Sequence, residues 1–363
     1  MNTAASSPQT NWKQIYSLMA LNAAIVISWI AYHNYQPKVL EIFNYRHLSL
    51  FLVISQALIL VFIPPAAGII ADRVMKSGGN RFVVFTVGIS VTAMVFMCVA
   101  FTVGTATTIN LTAALPFMIV IWLISMNIFH SPANSMLELF APAKSLPSAM
   151  AMMVLTTELL YAVEPVIVNF VDWMGPIVTF AFGGVLLIIT GYFFRSSTRN
   201  LSFVRSNDES KTTSSNFTVV LIAGLILGAA TTMLKTYIPQ KIDNLFGTGG
   251  AISGSVIVSI ALGIAALAAW PSSKLVDKIG TEKSLTYGLI GSFVLLLPTI
   301  FISNPYIVMT LALLSAPFFS YASVAGFPFA LGHLSVRNVT LGSGIFFGSV
   351  EVADGLMNYF QNM

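Results

Sequence analysis

Five ionisable side chains, Glu158, Glu164, Lys235, Glu351 and Asp354, fall inside long, mostly apolar stretches of the sequence. A charged group at the centre of a bilayer costs roughly 2.5–3.5 kcal/mol on insertion scales. Such groups are tolerated when they face water or one another, and there they can bind a proton, hold a ligand or form a switchable ion pair. Burial drives a carboxylate toward its neutral form, and an approaching cation restores the charged one. A carboxylate carried between those two settings loads and releases a proton, which makes Glu158, Glu351 and Asp354 the candidates for proton coupling. The plainer reading is a permanent ion pair that fixes helix packing. Glu351 and Asp354 are three residues apart and share one helix face. Glu158 and Glu164 lie about 120° apart on a continuous helix, at 100° per residue, and are not expected to point at one spot.

The elements that must carry these groups follow from composition. Of the 363 residues, 56% are hydrophobic and 8% charged, against about 25% charged in soluble proteins. A soluble chain this apolar could not cover its own surface. Eleven stretches reach the length of a membrane span: 14–36, 48–71, 82–103, 108–130, 147–171, 175–195, 216–239, 250–272, 283–303, 305–331 and 340–361. Backbone groups in hydrocarbon must be satisfied within each span, so these are helices, and the expected class is an all-α polytopic membrane protein. The polar N-terminus MNTAASSPQTNWKQ and the long first apolar stretch do not fit a cleavable signal. The lone Cys98 excludes an intrachain disulfide.

Positive charge gathers on one side of these spans. With the N-terminus cytoplasmic, Lys13, Arg73, Lys76, Arg81, Lys144, Arg195, Arg199, Arg205, Lys211, Lys274, Lys278, Lys283 and Arg337 all fall on that side, whereas Lys38, Arg46, Lys235 and Lys241 fall toward the other. The asymmetry predicts a multi-pass protein of the cell membrane, of the bacterial inner-membrane kind, and not a nucleic-acid patch.

The sequence also repeats itself. HNYQPKVLEIF at the end of the first span and KTYIPQKIDNLF at the end of the seventh place Tyr35 and Pro37 on Tyr237 and Pro239, and His33 on Lys235. In the same order, GIIADR pairs with KLVDK, Pro132 with Pro328, and Glu158 with Glu351. Residues 195–215, Ser/Thr-rich and charged, read as a flexible cytoplasmic linker between an N-terminal six-helix bundle (1–194) and a C-terminal bundle of five helices (216–363). Parallel halves with a site between them near the midplane are typical of secondary transporters.

The residues Gly68, Asp72 and Arg73, followed by Lys76 and Arg81, resemble the loop-2/3 signature of the major facilitator superfamily, with a degenerate copy at Asp277, Lys278, Gly280 and Lys283. The stretch VMKSGGN departs from the usual Gly-Arg after Asp-Arg. The superfamily has twelve spans and eleven are read, so a twelfth is expected to be missing. FPFAL and GIFFGSVE resemble sugar porters of the sucrose transporter type, and SPANSMLEL followed by KSL resembles lysophospholipid flippases. The resemblance implies that Gly68, Asp72, Arg73, Asp277 and Lys278 form a cytoplasmic gate. It further implies that span one packs near span five and span seven near span eleven, so that His33 could approach Glu158 or Glu164, and Lys235 could approach Glu351 or Asp354.

Polar faces complete the expected cavity. Asn22, Trp29 and His33 share one face of span one; Asn127, His130 and Asn134 share one of span four; Lys235 shares its face with Thr231. Trp122 and Tyr321 join Trp29 as rings able to stack on a solute, Tyr35 is placed in the same cavity, and His130 reads as packing. Polar helix–helix contact is the plainer account of the asparagines. No Gly-Lys-Ser/Thr phosphate loop, Cys/His metal spacing or nucleophile–base arrangement is present in the sequence, so no cofactor, metal or enzymatic step is expected. The expectation is a monomeric carrier in the lipid bilayer, working by alternating access on a small organic, sugar-like molecule with a proton as the symported ion. The alternatives are an exporter of lysophospholipids, drugs or metabolites, or a non-transporting receptor or scaffold.

Overall fold

The computed structural model describes residues 10–42, 48–77, 82–105, 114–199, 214–247 and 252–361. Arg46, Arg81, Arg205, Lys211 and most of the expected linker lie outside them. The first half comprises α1 (Trp12–Ile42), α2 (Ser49–Lys76), α3 (Phe82–Thr105), α4 (Leu115–Ser135), the short α5 (Leu137–Phe140), α6 (Leu146–Ala162) and α7 (Glu164–Thr198). The second comprises α8 (Phe217–Thr232), a π-helical turn (Met233–Tyr237), α9 (Ile238–Phe246), α10 (Gly254–Ile279), α11 (Thr281–Leu296), α12 (Pro305–Gly332) and α13 (Val339–Gln361). Among the described residues nine helices are long and apolar enough to cross a membrane, and there is no β-strand. Phe62, Phe101, Phe193, Leu267 and Val294 are each more than half exposed, as side chains facing lipid should be. The chain is a multi-pass membrane protein.

Two breaks decide where the polar groups point. Val163, at φ −98° and ψ 13°, ends α6, and Glu164 opens α7 with Pro165 directly behind it. Proline has no N–H to continue the α6 hydrogen-bond ladder and disfavours helical backbone at the residue before it. Within α7, Gly175 stands at φ 76° and ψ 166° ahead of Pro176, a conformation only glycine adopts readily. Spans five and six are therefore α6 with the first part of α7, then the remainder of α7.

Helices α8 and α13 pack side by side, as do α1 and α6, and two seams join the halves: α2 against α13, and α6 against α10. The α2–α13 seam depends on small residues. A Cβ at Gly68 would lie 2.5 Å from the Thr340 carbonyl, and one at Gly344 would overlap the Pro64 backbone. Between the two seams the halves separate around a central hollow.

Candidate functional site

The hollow is a cavity of about 730 Å³ lined from both halves. Its walls receive Asn22, Trp29 and His33 from α1, Asn127 and Asn134 from α4, Glu158 and Tyr161 from α6, and Glu164 from the start of α7. From the other half come Thr231, Lys235, Glu351 and Asp354. The polar faces expected on spans one, four and seven thus meet in one space.

The central contact crosses between the halves. The Lys235 Nζ lies 3.0 Å from Oε1 and 2.8 Å from Oε2 of Glu158, whose side chain is buried. The same ammonium sits 4.4 Å from the centre of the Tyr161 ring, a cation–π distance. Pairing within each half was expected, with Lys235 on Glu351 or Asp354 and His33 on Glu158 or Glu164. The helices do neighbour one another as expected, since Asn22 donates to the Thr157 hydroxyl (2.7 Å) and the Thr236 hydroxyl donates to Asp354 (2.8 Å). The charges pair otherwise, because Lys235 stands in the middle of the π-helical turn, where the wider winding re-aims side chains relative to an α-helix. His33 stacks on Trp29 at 5.7 Å, and Asp354, from the opposite half, lies within its electrostatic reach.

Glu164 corrects a second expectation. The angle between Glu158 and Glu164 holds only for an unbroken helix, and the interruption at Val163 lets both line the cavity. Neither Glu164 nor Glu351 has a hydrogen-bond or ion-pair partner among the described residues. His130, expected to pack, also lines the cavity, 5.2 Å from the Phe347 ring.

Three expected cavity residues stand elsewhere. The Tyr35 hydroxyl donates to the Val171 carbonyl (2.8 Å), away from the hollow. Trp122 is buried behind Trp29, stacked on Tyr32 at 4.5 Å. The Tyr321 hydroxyl donates to Ser284 (2.7 Å) between α12 and α11. The two tyrosine hydroxyls are engaged within their own halves, and Trp122 is enclosed by rings, its buried indole N–H without a hydrogen-bond partner among the described residues. Tyr161 went unnoticed in the sequence, although it follows Glu158 by three residues and so shares its face.

At the far end of the α2–α13 seam, the buried Asp72 accepts from the Leu341 backbone N–H (2.9 Å), and Ser131 donates to the Thr340 carbonyl (2.8 Å). Gly68 and Asp72 thus reach across between the halves. Arg73, Asp277 and Lys278 are exposed at helix ends, without a hydrogen-bond or ion-pair partner among the described residues.

Two helical bundles that meet along paired seams and enclose a polar, charge-lined cavity define a polytopic carrier. The chain belongs to the Major Facilitator Superfamily, whose family model matches residues 15–354. In fold it is similar to a bacterial homologue of the iron transporter ferroportin, seen by crystallography in an outward-facing state. That structure shares 11% sequence identity and a TM-score of 0.68, over 96% of this chain and 91% of the other. No curated protein matches the sequence. The protein is accordingly a secondary transporter of the alternating-access class.

Proposed function

We propose that this carrier moves a small organic solute in symport with protons, with a proton held by the Glu351–Asp354 pair and released when alternating access changes its surroundings. The observation that carries this reading is the set of ionisable groups turned into one 730 Å³ cavity between the bundles, where a merely structural ion pair would need no such space. Glu351 and Asp354 stand three residues apart on one helix face and both line the cavity. Lys235 neutralises Glu158 in the present arrangement and, on leaving it, would make Glu158 a second proton acceptor. Asn22, Trp29, His33, Asn127, Asn134 and Thr231 would hold the solute. The Asp72 end would be the cytoplasmic gate of a monomer in a bacterial inner membrane, with Arg73, Asp277 and Lys278 acting there when the gate moves.

The test uses proteoliposomes and a solute chosen by thermal-shift screening, since a ligand that binds only the folded state raises apparent stability. Glu351→Gln should abolish accumulation driven by an imposed pH gradient while leaving protein level and counterflow exchange intact. Undiminished accumulation in that variant would remove Glu351 from the mechanism.

A further inference from the structure

Charge accounting inside the cavity narrows the solute. The lining holds four carboxylates, Glu158, Glu164, Glu351 and Asp354, and one ammonium, Lys235, with His33 and His130 as the remaining titratable groups beside the Tyr161 phenol. Lys235 is already committed to Glu158 at 2.8–3.0 Å. All four carboxylates line the same cavity as the Tyr161 ring, over which the Lys235 ammonium sits at 4.4 Å. Four carboxylates thus share one ammonium in this wall, and Glu164 and Glu351 have no ion-pair partner among the described residues.

The rest of the lining fits the same kind of occupant. Trp29, Tyr161 and Phe347, each partly exposed, line the cavity with their rings, and aromatic faces attract cations. Among the described residues, no group of three His, Cys, Asp or Glu side chains is placed to hold a metal ion, which favours an organic cation over a metal ion.

We infer that the solute is an organic cation, a protonated amine with an apolar or aromatic body, whose charge is met by Glu164 together with the Glu351–Asp354 pair. This rests on the transport reading of the cavity and adds the chemical class that the cavity accepts. It excludes organic acids and phosphates, which the same wall would repel, and ranks a neutral sugar below an amine of equal size.

The experiment is equilibrium binding by calorimetry to the purified full-length protein, with three probes of one shape. These are phenethylamine, which is a cation at neutral pH, phenethyl alcohol and phenylacetate. Phenethylamine should bind about tenfold or more tightly than the alcohol, with phenylacetate weakest. Glu164→Gln should weaken the amine by about thirtyfold, as expected when one partner of a desolvated charge contact is removed, and leave the alcohol unchanged. Asp354→Asn gives an independent second variant should Glu164→Gln fail to fold, and the exposed Glu282→Gln should change nothing. The inference is overturned if the alcohol or phenylacetate binds as tightly as the amine, if none of the three binds, if manganese(II) displaces the amine at lower concentration than the amine itself, or if the amine is indifferent to both cavity variants. Failure here is separable from failure of the transport proposal. A protein that binds the amine but never accumulates it overturns only the latter, and one that accumulates a neutral or anionic solute overturns only the former.

Discussion

The ends of α1 and of the α8–α9 segment carry nearly the same residues, yet they have become different devices. In α1 the helix continues regularly through His33, Tyr35 and Pro37, and the histidine lies among aromatic rings. In the second copy the same stretch winds into a π-helical turn, and Lys235 at its middle reaches Glu158 of the other bundle. His33 in turn has Asp354, again of the other bundle, within its electrostatic reach. Duplication placed a basic group at equivalent points of two halves. The folded arrangement brings one of them, Lys235, into contact with an acid of the opposite half, while His33 stays against Trp29 and Tyr32 of its own helix. An ion pair that crosses between bundles responds to their relative motion, whereas one inside a bundle would not. Sequence symmetry therefore conceals a structural asymmetry, a direct ion pair on one side and a ring-stacked histidine on the other.

The comparison is broken most sharply by removing the two basic groups separately. Lys235→Ala leaves the buried Glu158 carboxylate without its cation. Stranding one member of a buried pair costs roughly 3–5 kcal/mol. The expected outcome is a large fall in the unfolding temperature of the purified protein and loss of uptake, with stability largely restored in Lys235→Gln/Glu158→Gln. His33→Ala removes a ring-stacked group without a direct ion-pair partner, and should lower stability by only about 1 kcal/mol. If both variants destabilise equally, the asymmetry between the two copies is not real.

A middle-sized effect comes from the seam that sets the spacing of the bundles. Gly344 meets the Pro64 backbone so closely that Gly344→Val must push α13 from α2. Overpacking of this kind typically costs 1–3 kcal/mol. Because the seam also carries the Leu341–Asp72 and Ser131–Thr340 hydrogen bonds, the variant should shift the carrier away from the present arrangement. A single cysteine at Ser131, introduced in a background with Cys98 replaced, reports this as faster labelling by a water-soluble maleimide. Unchanged labelling would mean that the seam does not hold the gate.

The helical membrane fold was legible because hydropathy is a local property, and the bilayer leaves the chain few alternatives. What stayed hidden depends on a departure from ideal winding. The angle between Glu158 and Glu164 assumed a continuous helix, although Pro165 stood in the sequence as the signal that it would stop. The turn at Met233–Tyr237 has no comparable marker, since Pro239 follows it and its twin Pro37 sits in regular helix. The crossing of Lys235 to Glu158 could not be read from spacing at all, because it joins residues whose distance is fixed only when two bundles dock. Likewise Trp122 and Tyr321 carry the composition of binding residues, but their neighbours engage them inside each half.

The smallest effect returns to the repeated stretch and asks whether its tyrosines have also diverged. The Tyr35 hydroxyl is buried and donates to the Val171 carbonyl at 2.8 Å, a carbonyl that Thr179 also bonds at 3.2 Å. Tyr35→Phe therefore removes one hydrogen bond but leaves its acceptor partly satisfied, and a net loss of about 1 kcal/mol is expected. Tyr237 has no hydrogen-bond partner among the described residues and is half-buried, so Tyr237→Phe should leave the unfolding temperature unchanged. Neither change should alter solute affinity, because Tyr35 stands outside the cavity and Tyr237 is not among its lining residues. Weaker binding in Tyr35→Phe at unchanged stability would return that residue to the solute site and reinstate the symmetry of the two copies.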